Sequence, residues 1–170
     1  VSDADNPSSI VSCLRGAREN ARAVRGTLTT EVWETHNQTW LELEQRLARG
    51  DHERDPTRFF EWVKYRSHLS RGVTVGTMLM DESLHFMRLG TFLERADNTA
   101  RLVDVNLQLL LDQRSRDPET LAGHWMPIVQ SAGDEALYRS LYADASAANV
   151  TDILVFHPAN ANSILGSITQ

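Results

Sequence analysis

A glutamate, an asparagine and an arginine fall on one strip of a predicted helix in the second half of the chain. Glu94, Asn98 and Arg101 are spaced at i, i+4 and i+7, which places their side chains on one helical face. The carboxylate there can act as a base or bind a cation, and the guanidinium can hold two oxygens of a carboxylate or phosphate. A helix-packing surface with an ion pair would produce the same spacing, so both interpretations stay open.

A glycine one turn before Glu94 adds to this pattern. Gly90 costs about 0.8–1 kcal/mol relative to alanine inside a helix, so its presence favours a close approach to the backbone. The approaching group can be a ligand or a second helix.

A second candidate site is a row of arginines near the start of the chain. Its members are three or four residues apart and therefore lie on one helical strip beside the apolar face: Arg15, Arg18, Arg22 and Arg25. Like charges in such a row repel one another unless carboxylates or an anionic partner such as a phosphate offset them. The row predicts either salt bridges to neighbouring helices or an anion-binding surface.

A weak metal candidate is formed by Glu82 and His85. Their Glu-x-x-His spacing is the one with which di-iron helical bundles point two ligands inward. No other glutamate has a histidine three residues later, so only half of such a site is present, and an ordinary polar contact is the alternative. The sequence also contains no Gly-rich phosphate loop and no nucleophile elbow. We therefore predict no cofactor and no self-contained hydrolase or kinase.

The elements that position these residues are predicted to be helices. Apolar residues recur at helical spacing, and neither alternating strand-type runs nor repeats of a fixed period occur. The predicted fold class is all-α, a helical bundle built around one long helix from about Thr77 to Asp112. The stripe of this helix expected to face the core consists of Phe86, Leu89, Leu93, Ala100, Val103, Leu107 and Leu111.

Capping signals predict the ends of the first two helices. Asn6-Pro7-Ser8 combines an N-cap residue with a proline, and the apolar spacing that follows predicts a helix to about Thr27. Thr29-Thr30 can cap a second helix, which Gly50 ends. The charged residues 51–54 are predicted to form a loop.

The remaining boundaries follow from prolines, glycines and polar residues. Asp55-Pro56 starts another helix, and the segment from Gly72 to Gly76 predicts a bend. A polar loop from Gln113 to Pro118 precedes shorter helices that are expected to pack across the long one.

Composition and charge exclude several classes of protein. A chain of 170 residues with 41% hydrophobic residues predicts one domain over residues 1–170. The net charge of −6 argues against a general nucleic-acid or acidic-membrane binder, although it leaves room for a local basic stripe. Cys13 is the only cysteine, no apolar run approaches the roughly 20 residues of a membrane span, and no signal peptide opens the chain. These features predict a cytoplasmic protein without a membrane segment.

The stretch FMRLGTFLERADNTARL, from Phe86 to Leu102, strongly resembles the Glu-Arg signature of the alpha-E domain family. Residues 8–37, with their Arg-Glu-Asn-Ala-Arg run, and residues 59–76 are also similar to the family. Residues 121–167 are similar only loosely. The resemblance therefore covers most of the chain.

The resemblance implies which residues form the site and which proteins act together with this one. It carries Glu94 and Arg95 over as the family's pair, with Asn98 and Arg101 beside them. Family members are encoded beside, or fused to, circularly permuted ATP-grasp and transglutaminase-like proteins in bacteria, which implies a role around amide or peptide bond formation. Full-length members open with an earlier helix, so residues 1–170 are expected to be a fragment that lacks it.

The two residues of the pair do not easily face one pocket. At 100° per residue, Arg95 lies about 160° around the helix from the predicted core stripe, whereas Glu94 lies nearer to it. Either the helix is sandwiched between neighbours, or one residue serves structure and the other recognition.

Two main functions follow as hypotheses. The first is a non-catalytic accessory domain that docks on an ATP-grasp-type amide ligase through the arginine row and the strip from Glu94 to Arg101. The second is an enzyme subunit in which Glu94 acts as acid or base while Arg95 or Arg101 holds a carboxylate or phosphate. A metal-binding bundle is a third and weaker hypothesis. Whether the chain is an enzyme stays open.

Overall fold

The computed structural model describes residues 3, 5–112 and 118–169, with the backbone alone described for residues 107–112, 118–122 and 124. These residues form helices, turns and loops without a strand, which confirms the all-α prediction. They divide into two compact units, Val1–His85 and Phe86–Gln170. In the described part of the chain no helix is both long and apolar enough to cross a bilayer. The single domain over residues 1–170 stays a prediction.

The first unit is built from helices that α2 holds together. Its elements are α1 (Ile10–Ala23), a 3₁₀ turn (Arg25–Thr27), α2 (Thr30–Ala48), α3 (Asp51–Arg54) and α4 (Pro56–Thr77). Both α1 and α4 pack on α2, and the core between them contains the buried side chains of Val11, Leu43 and Phe59. Burying side chains of this size removes about 1.5–3 kcal/mol of unfavourable hydration each, which makes this core the main source of the unit's stability.

Two of the three predicted helix starts in this unit are observed. The start of α1 was predicted wrongly, because its N-cap is Ser9 and not Asn6, whose side chain accepts the backbone N–H of Ser8 before the helix begins. The side chains of Ser9, Thr29 and Asp55 accept hydrogen bonds from first-turn backbone N–H groups of α1, α2 and α4. Gly50 has a φ of 69°, the left-handed conformation that commonly ends a helix. The predicted starts of α2 and α4 and the end of α2 are therefore confirmed.

Two other predictions in this unit are wrong. The first helix ends at Ala23, because from Val24 the hydrogen bonding tightens into the 3₁₀ turn. Residues 51–54 form one helical turn and not a loop, since the Gly50 carbonyl accepts the backbone N–H groups of Glu53 and Arg54. Charged side chains do not prevent a single exposed turn of this kind.

The long helix begins later than predicted. Helix α4 continues through Gly72 and Gly76 to Thr77 without the predicted bend, since each glycine costs only about 1 kcal/mol, which packing on α2 can offset. The interruption comes instead at Met78, whose extended backbone ends α4. The next helix, α5, spans Glu82–Asp112 and is preceded by Asp81, whose Oδ1 accepts the backbone N–H of Leu84.

The second unit consists of most of α5 and a group of shorter helices. These are α6 (Pro118–Ala132), α7 (Glu135–Leu141), α8 (Ala147–Thr151), a π-helical turn (Asp152–Phe156) and α9 (Ile164–Ile168). Their core contains the buried side chains of Val129, Tyr138, Ile153 and Leu154. The predicted shorter helices are thus confirmed, whereas residues 113–117 of the predicted polar loop lie outside the described residues.

The predicted core stripe of α5 is wrong in its first half. Phe86, Leu89 and Leu93 are 71%, 52% and 56% exposed, and Ala100 is exposed as well. The inward strip of α5 instead contains Arg95 and Thr99, because a loop of the same unit hydrogen-bonds to both. Val103 packs against the core as predicted, and the side chains of Leu107 and Leu111 lie outside the described residues.

Candidate functional site

An open cleft of about 430 Å³ runs along α5 in the second unit. It is lined by residues of α5, of the end of α6 and of the loop before α9, which are Thr91, Glu94, Arg95, Asn98, Thr99, Leu102, Ser131, Ala132 and Asn162. The structure thus brings Glu94, Arg95 and Asn98 together in one cleft. This cleft is the candidate functional site.

Arg95 is half-buried and faces the loop that forms the far wall of the cleft. Its Nη1 donates a hydrogen bond to the carbonyl oxygen of Ala161 at 3.1 Å, and its guanidinium lies 5.7 Å from the ring centroid of Phe92. One turn further along α5, the hydroxyl of Thr99 donates to the carbonyl oxygen of Asn162 at 2.7 Å. Arg95 and Thr99 therefore clamp the loop onto α5.

A buried carboxylate holds the same loop from the other side. Asp134, which is 6% exposed, accepts hydrogen bonds from the amide nitrogens of Asn160 at 2.9 Å and Asn162 at 2.8 Å. The Asn160 amide also donates to the carbonyl oxygen of Ile153. Sequence reasoning missed this network, since an Asn-rich segment predicts only a helix break. The network makes the wall of the cleft a fixed surface.

Glu94 and Asn98 are exposed on the open side of the cleft. Both line it one helical turn apart, as their i, i+4 spacing predicts. The contacts of Arg95 are thus structural, while the carboxylate of Glu94 is accessible to a ligand. That Glu94 serves recognition stays a prediction.

Arg101 does not line the cleft. Its Nε donates to Oδ2 of Asp97 at 2.7 Å, one turn earlier on α5, and both side chains are exposed. This hydrogen bond, together with the negative charges of Asp97 and Glu94, raises the pKa of Arg101 above its usual value. Of the three residues of the predicted strip, only Glu94 and Asn98 line the cleft, and a binding role of Arg101 stays a prediction.

The chain matches a family model described as a predicted alpha-helical domain with a conserved ER motif, over residues 1–170. The chain belongs to the Alpha-E family. No curated protein and no solved structure matches it. Two Glu-Arg dipeptides occur in this Alpha-E chain, Glu53-Arg54 in α3 and Glu94-Arg95 in α5. The second lies within the stretch that resembles the family signature, and its two side chains have different surroundings.

The arginine row of this Alpha-E chain lies mainly along the seam between α1 and α2. Three of its members contact α2, in the pairs Arg15 with Trp40, Arg18 with Asn37, and Arg25 with Trp33. Two of these contacts are cation–π contacts at 5.6 and 5.2 Å, and the third is a 2.9 Å hydrogen bond. Arg22 lies 3.6 Å from Glu19 of its own helix. The observed contacts join α1 and the 3₁₀ turn after it to α2, and an anion-binding role of the row stays a prediction.

The remaining candidate positions are exposed at the start of α5. Glu82 and His85 lie in its first turn, and no group of three or more metal-binding side chains occurs among the described residues. A Cβ at Gly90 would have open space around it, so no described part of the chain makes the close approach that this glycine predicts. A metal site at Glu82 and His85 stays a prediction, and these two residues are its only candidate ligands among the described residues.

Proposed function

We propose that this Alpha-E domain is a non-catalytic binding module that receives a peptide segment of a partner protein in the cleft beside α5. One observation carries the proposal: Glu94 is exposed in a cleft whose opposite wall is fixed by Arg95 and Thr99. A rigid wall facing an accessible carboxylate is the arrangement of a preformed binding site, in which little entropy is lost when a ligand binds.

The chemistry of the lining residues fits a peptide. The amide of Asn98 can donate to and accept from a peptide group, and the carboxylate of Glu94 can accept from an amine or a basic side chain. The lining residues include one carboxylate and no histidine, cysteine or lysine, so the cleft itself supplies no second group for proton transfer. Binding of a peptide needs only the amide and carboxylate groups that line the cleft.

The partner we propose is an ATP-grasp-type protein of an amide or peptide bond-forming system, with a transglutaminase-like protein as a further component. The support for this partner is the family resemblance of the stretch around Glu94, together with the position of Glu94 in the cleft. A bacterial source and a cytoplasmic location are parts of the same proposal.

Calorimetry tests the proposal with this protein and a purified ATP-grasp-type protein from the same source, with and without nucleotide. We expect binding at micromolar concentration, weakened about tenfold or more by each of two variants. Glu94→Gln removes the negative charge that strengthens a hydrogen bond to the bound segment, and Asn98→Ala removes the amide that hydrogen-bonds to it. Asp97→Asn is the matched control, because it removes an exposed carboxylate of the same helix outside the cleft. No binding, or equal losses in all three variants, would refute the proposal.

The enzyme alternative keeps one point in its favour, which is that Glu94 lies in a cleft as an acid or base must. It requires Arg95 or Arg101 to hold the substrate, although both have protein partners. In a reconstituted system with the partner, an unchanged affinity with a lower kcat for Glu94→Gln would favour the enzyme over the binding module.

A further inference from the structure

A second cleft, in the first unit, is lined mainly by arginines. It has a volume of about 400 Å³ and lies where α2, α3 and the start of α4 meet. We call it the arginine cleft, and its lining consists of Arg46, Arg49, Arg54, Arg58, Asp51, Asp55 and Phe59. Four guanidinium groups therefore meet two carboxylates, which leaves the lining with an excess of positive charge in a chain whose net charge is −6.

Both carboxylates of the arginine cleft already have partners. Oδ2 of Asp51 is shared between Arg46 at 3.6 Å and Arg49 at 3.2 Å. Oδ1 of Asp55 accepts the backbone N–H of Arg58 at 3.0 Å and so caps α4. Neither carboxylate forms an ion pair with the side chain of Arg54 or Arg58.

The other two guanidinium groups line the cleft beside these pairs without a carboxylate partner among the described residues, and only that of Arg54 is fixed by a hydrogen bond. Nη2 of Arg54 donates to the carbonyl oxygen of Arg49 at 2.7 Å, which fixes its position but does not neutralise it. The side chain of Arg58 is exposed and makes no hydrogen bond or ion pair to a described residue. Like charges gathered in this way repel one another, and an anion between them would offset the repulsion.

Part of the arginine cleft is also preorganised. The guanidinium of Arg46 lies 4.7 Å from the ring centroid of Trp62, and its side chain is only 25% exposed. The cleft lies at the N-terminus of the 22-residue helix α4, whose dipole adds partial positive charge. Fixed cationic groups lose less entropy when they bind an anion than free surface arginines do.

We propose that the arginine cleft binds the phosphate groups of a small phosphorylated ligand. A guanidinium presents paired N–H donors that match two phosphate oxygens, and several of them around one cleft favour a doubly charged oxyanion over chloride. A volume of about 400 Å³ is within the range of small-ligand sites. This site belongs to the first unit, whereas the cleft beside α5 belongs to the second, so the proposal goes beyond the peptide-binding role.

Calorimetry on the full chain in phosphate-free buffer tests the proposal with orthophosphate, pyrophosphate and ADP. We expect pyrophosphate to bind, and Arg58→Ala and Arg54→Ala each to weaken it about tenfold, because each removes a charge-assisted hydrogen bond. Arg71→Ala, an exposed arginine of the same helix outside the cleft, should leave the affinity unchanged. Asp51→Asn should tighten binding, since it frees Arg46 and Arg49 from their shared carboxylate.

The results distinguish two kinds of phosphate ligand, and other results would overturn the proposal. Equal affinities for pyrophosphate and ADP would support a site that recognises phosphate groups alone, and tighter binding of ADP would support a nucleotide ligand. The proposal is overturned if none of the three probes binds, if Arg71→Ala weakens binding as much as Arg58→Ala, or if the chain binds an RNA oligonucleotide but not pyrophosphate. Circular dichroism confirms that each variant is folded.

Discussion

Arg95 and Ala161, which are 66 positions apart in the chain, are joined by a hydrogen bond from the arginine Nη1 to the alanine carbonyl oxygen at 3.1 Å. The arginine of the Glu-Arg pair thereby holds a loop against its own helix, while the adjacent Glu94 stays exposed in the cleft. Successive side chains of a helix point about 100° apart. One member of a neighbouring pair can therefore contact the loop that forms the cleft wall while the other faces the open cleft. Stability and binding should therefore respond to different members of the pair.

Arg95→Ala should lower the free energy of unfolding by about 1 kcal/mol, the usual net value of a hydrogen bond at a partly exposed site. Glu94→Gln and Arg101→Ala should each change it by less than about 0.5 kcal/mol, since both side chains are exposed. Urea unfolding of the three variants measures these differences. Equal losses for Arg95→Ala and Arg101→Ala would contradict the role of Arg95 as a clamp.

Gly166→Ala should destabilise the second unit. A Cβ at this position would overlap the carbonyl oxygen of Asn160, in the loop that Asp134 and Arg95 hold in place. Overpacking of this kind costs about 1–3 kcal/mol. The control is Gly72→Ala inside α4, where a Cβ has open space, and it should stabilise the protein by about 0.8–1 kcal/mol. Thermal unfolding that shifts in the same direction for both variants would refute the argument.

The elements were largely predictable from the sequence because their signals are local. A threonine or aspartate before an apolar run needs only its own next turn to act as a cap, and Thr29 and Asp55 do so. The spacing of Glu94 and Asn98 is local in the same way, and both residues line the cleft. Contacts within four residues are thus encoded in the sequence pattern.

Contacts between residues that are far apart along the chain were not predictable. Periodicity identifies an apolar stripe on α5 but not the neighbour that covers it, and Phe86 and Leu93 are exposed while Thr99 is buried. The loop that Thr99 contacts lies 63 residues further along the chain, with no signal in the sequence around α5. The arginine cleft was missed for a different, local reason. Residues 51–54 were predicted to form a loop, whereas they form the turn α3, in which Arg54 hydrogen-bonds to the carbonyl oxygen of Arg49.

Thr39→Val should destabilise the first unit by about 1–3 kcal/mol, the cost of leaving a buried polar group without its partner. The Thr39 hydroxyl accepts from Nε of Arg66 at 2.8 Å, and Arg66 is 6% exposed. Valine keeps the shape of threonine but removes this acceptor. Thr57→Val on the exposed first turn of α4 is the control, and denaturation should detect little change for it. Similar losses in both variants would show that the hydroxyl of Thr39 is not the cause.

His36 should make the stability of the first unit depend on pH. Burial, and then the positive charge of Arg66, lower the pKa of His36 below its ordinary value of 6.5. The unfolded state then binds the proton first, so the free energy of unfolding should fall as the pH decreases below 6.5. Urea unfolding at pH 7.5 and 5.5 measures the effect, which His36→Gln should reduce. His68→Gln, at an exposed position of α4, should leave the pH dependence unchanged. A pH dependence that is reduced by His68→Gln but not by His36→Gln would contradict the assignment of the effect to His36.

Tyr142 should titrate well above an ordinary tyrosine. Its hydroxyl donates to Oδ2 of Asp152, and this hydrogen bond, with burial and the negative charge of Asp152, raises the pKa of Tyr142 to about 12. Because the folded state keeps this proton longer than the unfolded state, the contact loses its stabilising effect as the pH rises from 10 towards 12. Absorbance of tyrosinate, compared with a Tyr142→Phe variant, isolates this group. Asp152→Asn should return its pKa towards 10, and an unchanged titration in that variant would exclude Asp152 as the cause.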